Sequence, residues 1–144
     1  MKWIESIFND RYYRTKPFER DGNIYEKIGI KRFQKVLLRI AMKRRHEVPF
    51  RYYFITDNSI DGLAAFEKRT RKSERAHVFI ALVIFAYQLR IMIFLDGVGD
   101  VLFLLFFTVL NVITNLYPIC LQRYNRIRMN RVMQKRQKRG SRPV

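Results

Sequence analysis

The sequence has little of what many small folds and enzymes depend on. It contains one cysteine, Cys120, among 144 residues, so an internal disulfide framework is impossible. Two histidines, His46 and His77, with that single cysteine supply too few ligands for a zinc site, and we expect no bound metal. There is no glycine-rich phosphate loop, no His-Glu-x-x-His helix and no Gly-x-Ser-x-Gly turn. Neither histidine is followed by the aspartate of the common His-x4-Asp acyltransferase motif. The sequence therefore lacks the familiar signatures of nucleotide hydrolases, zinc proteases and serine hydrolases.

Acidic residues are also scarce. Twelve Asp and Glu residues stand against 29 Lys and Arg residues, which gives a net charge of +17. Soluble nucleic-acid-binding proteins share such a charge, but they do not share the almost wholly apolar run from Val78 to Leu121. A protein seated on anionic lipid has both features, because its basic flanks face the headgroups while the apolar run is buried. The composition favours a membrane protein, and nucleic-acid binding, which rests on charge alone, is the weakest alternative.

Two membrane spans are predicted inside the apolar run. They cover about Val78–Leu95 and Val101–Leu121, and at about 1.5 Å per residue either can cross a hydrocarbon core of about 30 Å. The segment Asp96–Asp100 between them is short and contains two glycines, as a tight helical hairpin requires. One uninterrupted helix is the competing interpretation. No secretory signal peptide is recognisable at the N-terminus, so insertion is expected to depend on these spans.

Charge predicts the orientation and the division of the chain. Basic residues precede the first span and follow the second, whereas the turn has none. The positive-inside rule then puts both termini in the cytoplasm of a multi-pass protein of the cell (inner) membrane. We expect a mainly α fold with three parts: a basic cytoplasmic or interfacial segment (1–76), a two-helix transmembrane hairpin (77–121, turn near 96–100) and a basic cytoplasmic tail (122–144).

The N-terminal segment contains one clear helical pattern. Apolar residues recur at helical spacing through Ile30–Arg45 and basic residues fill the other face, which is typical of an amphipathic helix. Such a helix can lie in the membrane interface or pack on the rest of the protein, and the sequence does not decide between the two. The segment Arg51–Ile55 is predicted to form a short strand or an extended interfacial segment. A further helix is predicted to start at the Ser59 cap and to run into the first span.

Polar residues interrupt both spans. In the first span Arg90 could extend toward the headgroups or act as a functional buried charge. In the second span Asn111, Asn115 and Pro118 share one helical face. Hydrogen bonding between helices is the usual role of such asparagines, and ligand binding is the alternative.

Folding the hairpin places residues on the two helices side by side. With a turn centred near Val98, Glu74 comes level with Gln122, and His77 with Ile119. Glu74 and His77 are three residues apart and therefore share a helical face. One acid and one imidazole thus meet the basic cluster that follows the second span. We predict a site there, with catalytic His77 and Glu74.

The residue types suit acyl transfer. His77 could take a proton from a hydroxyl acceptor, with Glu74 orienting the ring or sharing the proton, and the cluster could stabilise an oxyanion or hold an acyl donor. The predicted substrate-binding residues are Gln122, Arg123, Tyr124, Asn125, Arg126 and Arg128. In the structural alternative Glu74 pairs with Arg123 or Arg71, and His77 merely marks the lipid boundary.

Three motifs resemble one known family. They are Asn115-x-x-Pro118-x-x-x-Gln122-Arg123-Tyr124-Asn125-Arg126-x-Arg128, Thr70-x-x-Ser73-Glu74-x-x-His77, and Phe18-Glu19-x-x-Gly22-x-x-Tyr25-x-Lys27. Together they are similar to the glycosyl-4,4'-diaponeurosporenoate acyltransferases, and the Gln-Arg-Tyr-Asn-Arg motif is the specific one. Val78 stands where that family often has a tryptophan after its histidine.

The resemblance implies an enzyme that moves a fatty acyl group onto a hydroxyl of a glycosylated terpenoid or carotenoid lipid. It implies acyl-CoA or acyl-carrier protein as the donor substrate, with no bound cofactor. Expected partners are membrane lipids, the acyl donor and a glycolipid-like acceptor, and a homo-oligomer is left open. The alternative is a non-enzymatic membrane scaffold or assembly protein that uses its basic cytoplasmic face.

Overall fold

A computed structural model describes residues 6–44, 57 and 59–140, and within these residues the protein is mainly helical and has no strand. In chain order the helices are α1 (Asp10–Tyr13), a 3-10 turn (Pro17–Glu19), α2 (Asn23–Lys27), α3 (Ile30–Lys43), α4 (Ile60–Ile93), α5 (Val98–Asn111), a π-helical turn (Val112–Leu116) and α6 (Tyr117–Gly140). The predicted strand at Arg51–Ile55 and the residues Arg45 and His46 lie outside the described residues.

Helix α4 begins where the sequence predicted. The Ser59 hydroxyl accepts a hydrogen bond from the Gly62 N–H at 2.9 Å, which satisfies one of the free donors of the first turn. The helix then continues for 34 residues, a length of about 51 Å at 1.5 Å per residue. The predicted run of this helix into the first apolar stretch is confirmed. Because the helix is longer than a hydrocarbon core of about 30 Å, its first half extends beyond the apolar part.

The hairpin turn is shorter and earlier than predicted. Helix α4 ends at Ile93 and α5 starts at Val98, so the turn occupies residues 94–97 instead of 96–100. The Asp100 carboxylate accepts a hydrogen bond from the Asp96 N–H at 3.0 Å. This bond caps the N-terminal end of α5. The last residues of the predicted turn belong to the first turn of that helix.

The second apolar stretch has a local irregularity that the sequence analysis did not predict. Helix α5 widens into the π-helical turn and continues as α6, with Pro118 as the second residue of α6. Proline has no N–H to donate and its ring crowds the carbonyl group four residues earlier, which belongs to Thr114. A widened turn relieves that crowding, and π turns often occur at functional sites.

Two helical stretches are long and apolar enough to cross a membrane. They are Ile60–Ile93 and Val98–Lys138, each with a mean hydropathy of 1.9 in its most apolar window, of which only 6% is buried. Their apolar side chains therefore face outward rather than into a protein core. An exposed apolar surface of this extent is consistent with a membrane protein. The boundaries predicted after residues 76 and 121 fall inside the continuous helices α4 and α6.

The core lies where α2 and α3 pack on α6. Its buried residues are Tyr25, Ile30, Leu121, Tyr124 and Ile127. Phe33 and Leu37 of α3 pack against this cluster, whereas Val36 and Ile40 on the same helix are exposed. Helix α3 is thus anchored on α6 by one side, as one of the two interpretations of its pattern predicted, and it keeps an exposed apolar edge.

Gly22 is the position at which this core depends on glycine. It has φ +70°, a left-handed conformation, and an added Cβ would lie 3.3 Å from the Tyr124 ring. Gly29 has φ +84° and open space around it. Gly22→Ala should cost more than the roughly 1–2 kcal/mol of a left-handed residue, because the ring must also move, whereas Gly29→Ala should cost only the backbone term. Thermal unfolding in detergent measures the difference, and equal losses would contradict the contact.

Candidate functional site

A chain of hydrogen bonds ties His77 on α4 to the π-helical turn. The Asn111 amide nitrogen donates to the Ala81 carbonyl oxygen at 3.3 Å, and the Asn115 amide nitrogen donates to the Asn111 side-chain oxygen at 2.9 Å. The Asn115 side-chain oxygen then lies 3.3 Å from Nδ1 of His77. The prediction that the asparagine face bonds between helices is confirmed.

The direction of these bonds sets the tautomer of His77. The Ala81 carbonyl can only accept, so the Asn111 amide nitrogen faces it and the Asn111 oxygen faces Asn115. The Asn115 nitrogen must supply that bond, which turns its oxygen toward His77. An amide oxygen only accepts, so Nδ1 carries the proton and a neutral ring keeps the lone pair of Nε2. In this tautomer Nε2 is the ring nitrogen that can accept a proton.

One helical turn away, Glu74 lies in a buried cluster with two arginines. Its carboxylate is wholly buried, with Oε2 2.6 Å from Nη2 of Arg126 and Oε1 3.8 Å from Nη1 of Arg123. Arg126 is itself only 3% exposed. Burial of an ion pair is costly unless its geometry is good, and removal of one partner leaves a charge without compensation. Three buried atoms of this cluster, Oε1 of Glu74, Nε of Arg123 and Nη1 of Arg126, have no hydrogen-bond partner among the described residues.

The N-terminal segment closes this cluster from the other side. The guanidinium groups of Arg123 and Arg126 lie 5.5 Å from the Tyr12 ring centre and 5.1 Å from the Tyr13 ring centre, distances at which the ring faces attract cations. The buried Glu19 carboxylate lies 3.5 Å from Nε of Arg123. Burial, reinforced by the Glu74 carboxylate, raises the pKa of Tyr12 to about 12, so its hydroxyl stays protonated at neutral pH. Two carboxylates and two aromatic rings thus enclose the arginines.

A separate cavity of about 170 Å³ lies between α3, α4 and α6. Gln122 donates to the Ser73 hydroxyl at 3.3 Å, and Gln34 donates to the Asn125 side-chain oxygen at 3.3 Å. The rest of the lining combines apolar and polar side chains, namely Leu37, Leu38, Phe66, Arg69, Thr70 and Leu121. Both amide bonds are long for hydrogen bonds, so a ligand hydroxyl can compete for them. Amides and hydroxyls beside an apolar wall suit a hydroxylated group with an apolar face.

The remaining members of the predicted cluster have a third environment. The Tyr124 hydroxyl donates to the Glu26 carboxylate at 2.9 Å, and the Arg128 guanidinium lies 5.6 Å from the Tyr124 ring centre. Bonds from Lys31 and then from Tyr124 lower the pKa of Glu26. These contacts fasten α2 to α6.

The structure therefore divides the predicted site among three faces of α6. Gln122 and Asn125 face the cavity, Arg123 and Arg126 face Glu74, and Tyr124 and Arg128 face α2. Glu74 does lie beside the cluster as predicted. Among the described residues no hydrogen bond joins Glu74 to His77, which contacts Asn115 instead. The pairing of Glu74 with Arg123 was the structural alternative, and that pairing is present.

The hydrogen bond of His77 lies one helical turn from its predicted neighbour. His77 was expected level with Ile119, but its side chain meets that of Asn115. Other contacts keep the predicted register, since Gln88 bonds to Thr108 and Gln122 bonds to Ser73. Sequence reasoning also missed Tyr12, Tyr13 and the cavity residue Gln34. Only the Phe18-Glu19 motif signalled that the N-terminal segment joins the site.

The chain matches a known protein family over most of its length. The sequence model of the glycosyl-4,4'-diaponeurosporenoate acyltransferase family matches residues 9–135, which include all three faces of α6 and the segment that encloses Glu74. No curated protein matches the chain, and no solved structure does.

Proposed function

Because the chain belongs to the glycosyl-4,4'-diaponeurosporenoate acyltransferase family, whose name denotes acyl transfer in carotenoid biosynthesis, we propose that it esterifies a hydroxyl of a glycosylated carotenoid with a fatty acyl group. The single observation that carries the mechanism is the hydrogen-bond chain ending at His77. It orients an imidazole with a free Nε2 where two apolar helices leave the expected lipid region.

In this mechanism Nε2 of His77 takes the proton of the acceptor hydroxyl as its oxygen attacks the acyl carbonyl carbon. The tetrahedral intermediate collapses by breaking the bond to the leaving thiol, and the imidazolium returns the proton to that thiolate. The donor is acyl-CoA or acyl-carrier protein, and no bound cofactor takes part. Asn115 is a positioning residue, because its oxygen also stabilises the charged ring.

The cavity one helical turn from His77 is the proposed place for the sugar of the acceptor. Ser73 lies one helical turn before His77 on α4, and Gln122 bonds to it across the helix pair. Amide side chains bind vicinal hydroxyls by donating and accepting at once, and the Phe66 wall gives an apolar surface for the ring.

The arginines have a different proposed role. Arg123 and Arg126 are enclosed by Glu74, Tyr12 and Tyr13, so binding of an acyl donor would require displacement of those partners. We assign the buried cluster to holding the N-terminal segment over α4 and α6. Glu74 then supports the site without moving protons.

The proposed setting is the cell membrane, with both termini in the cytoplasm. The basic residues flank the two apolar stretches on one side, and the turn between them has none. A cytoplasmic cavity is open to a soluble acyl donor, while the acceptor arrives from the bilayer.

The test is a comparison of lipid extracts by mass spectrometry from cells that make the glycosylated carotenoid, with and without this gene. We expect the glycoside to gain the mass of a fatty acyl chain, in ester linkage, only when the gene is expressed. The control is the same gene carrying His77→Gln. An unchanged glycoside together with loss of another membrane complex would overturn the proposal and favour a scaffold.

A further inference from the structure

A long groove lies between the two apolar helices. Its volume is about 670 Å³, and its walls are almost wholly apolar side chains of α4 and α5, including Leu82, Phe85, Leu89, Met92 and Leu105. Bulk lipid can touch its open side, but the groove is also confined between two helices. It is therefore a candidate seat for one hydrocarbon chain.

The polar groups in the groove are already satisfied within the protein. Gln88 donates to the Thr108 hydroxyl at 2.8 Å and also lies 3.4 Å from the Leu104 carbonyl oxygen. Asn111 donates to the Ala81 carbonyl oxygen. In lipid such bonds fix the spacing of the helices and leave no free polar group for a ligand. The groove thus offers the occupant only apolar contact.

The position and length of the groove select the occupant. Asn111 belongs both to the groove lining and to the hydrogen-bond chain that orients His77, so one end of the groove lies two hydrogen bonds from the proposed base. From Ala81 to Met92 the groove follows eleven residues of α4, about 16 Å at 1.5 Å per residue. That length is about half the thickness of a hydrocarbon core of 30 Å. One lipid chain spans half of such a core.

Resting on the proposed function, we propose that the groove holds the fatty acyl chain of the donor and sets its length. The carbonyl carbon lies at the His77 end, and the methyl end points toward Met92 and Val101. The occupant is a single acyl chain and not a second copy of the protein, because the groove has the length of one chain and ends at the hydrogen-bond chain that orients the proposed base.

Leu105 and Leu102 provide a matched test. Both are 61% exposed leucines of α5, but only Leu105 lines the groove. Leu105→Trp should shorten the chains found on the product, whereas Leu102→Trp should leave them unchanged. Each buried methylene contributes about 0.8 kcal/mol. Loss of room for two methylenes should therefore reduce use of the longer donor about fifteenfold relative to a donor that is two methylenes shorter.

The experiment is a chain-length profile of the acylated product from cells supplied with mixed fatty acids. Leu105→Ala keeps the test decisive if the tryptophan variant misfolds. This variant should shift the profile toward longer chains. Identical profiles for the Leu105 and Leu102 variants at normal yield would overturn the proposal that the groove holds the acyl chain. They would leave the proposed function intact. An equal fall of all chain lengths in Leu105→Trp, with a changed oligomeric size in detergent, would assign the groove to a second copy. Absence of acylated product from the unaltered protein would overturn both proposals.

Discussion

Replacing His77 by glutamine is expected to reduce the acylated product by a factor of about 10²–10⁴, the usual contribution of a positioned general base. Glutamine is similar in size and can still donate to the Asn115 oxygen that His77 contacts at 3.3 Å, so the helix pairing should persist. What glutamine lacks is the basic lone pair of Nε2. The measurement is the initial rate of ester formation in membranes with a defined acyl donor.

Two further variants separate the base from its support. Asn115→Leu should give a smaller loss than His77→Gln, because the ring remains but can adopt the unproductive tautomer. Ile113→Leu is the control, since Ile113 lies in the same π-helical turn and its apolar side chain is 51% exposed. A normal rate in His77→Gln at normal protein level would remove His77 from the mechanism.

The sequence predicted the helices because their physical causes are local. The Ser59 cap, the glycines near the turn and the apolar runs each act over a few residues, and α4 starts where its cap predicted. The π-helical turn was not predicted, although Pro118 was seen. Whether a proline kinks, widens or ends a helix depends on the neighbouring helix that satisfies the freed carbonyl groups.

The sequence predicted which residues belong to the candidate site better than it predicted which of them contact each other. Gln122, Arg123 and Tyr124 are consecutive, and on a helix consecutive residues point about 100° apart, so they cannot share one pocket. Which of them meets Glu74 depended on Tyr12 and Glu19, more than fifty residues earlier in the chain. No rule based on residue spacing predicts contacts between residues so far apart in the sequence. Helical geometry alone, however, could have divided the cluster among separate faces.

Replacing Glu74 by alanine is expected to lower the free energy of unfolding by about 3–5 kcal/mol, the usual cost of leaving one member of a buried ion pair alone. Arg126 would keep its charge at 3% exposure without the carboxylate that now lies 2.6 Å away. Asp21→Ala is the matched control, because Asp21 also contacts an arginine of α6, Arg131, but the two side chains are 76% and 46% exposed. That variant should lose less than about 1 kcal/mol. Chemical unfolding in detergent measures both.

The double variant Glu74→Leu with Arg126→Met decides whether Glu74 acts by chemistry or by position. Apolar side chains of similar volume often replace a buried ion pair without loss of stability, so the double variant should unfold much nearer to the unaltered protein than Glu74→Ala. Arg123 would keep Glu19, which lies 3.5 Å from its Nε. Since the hydrogen bond of His77 goes to Asn115, ester formation should return together with stability. A double variant that is stable yet forms no ester would instead assign Glu74 or Arg126 to the reaction itself.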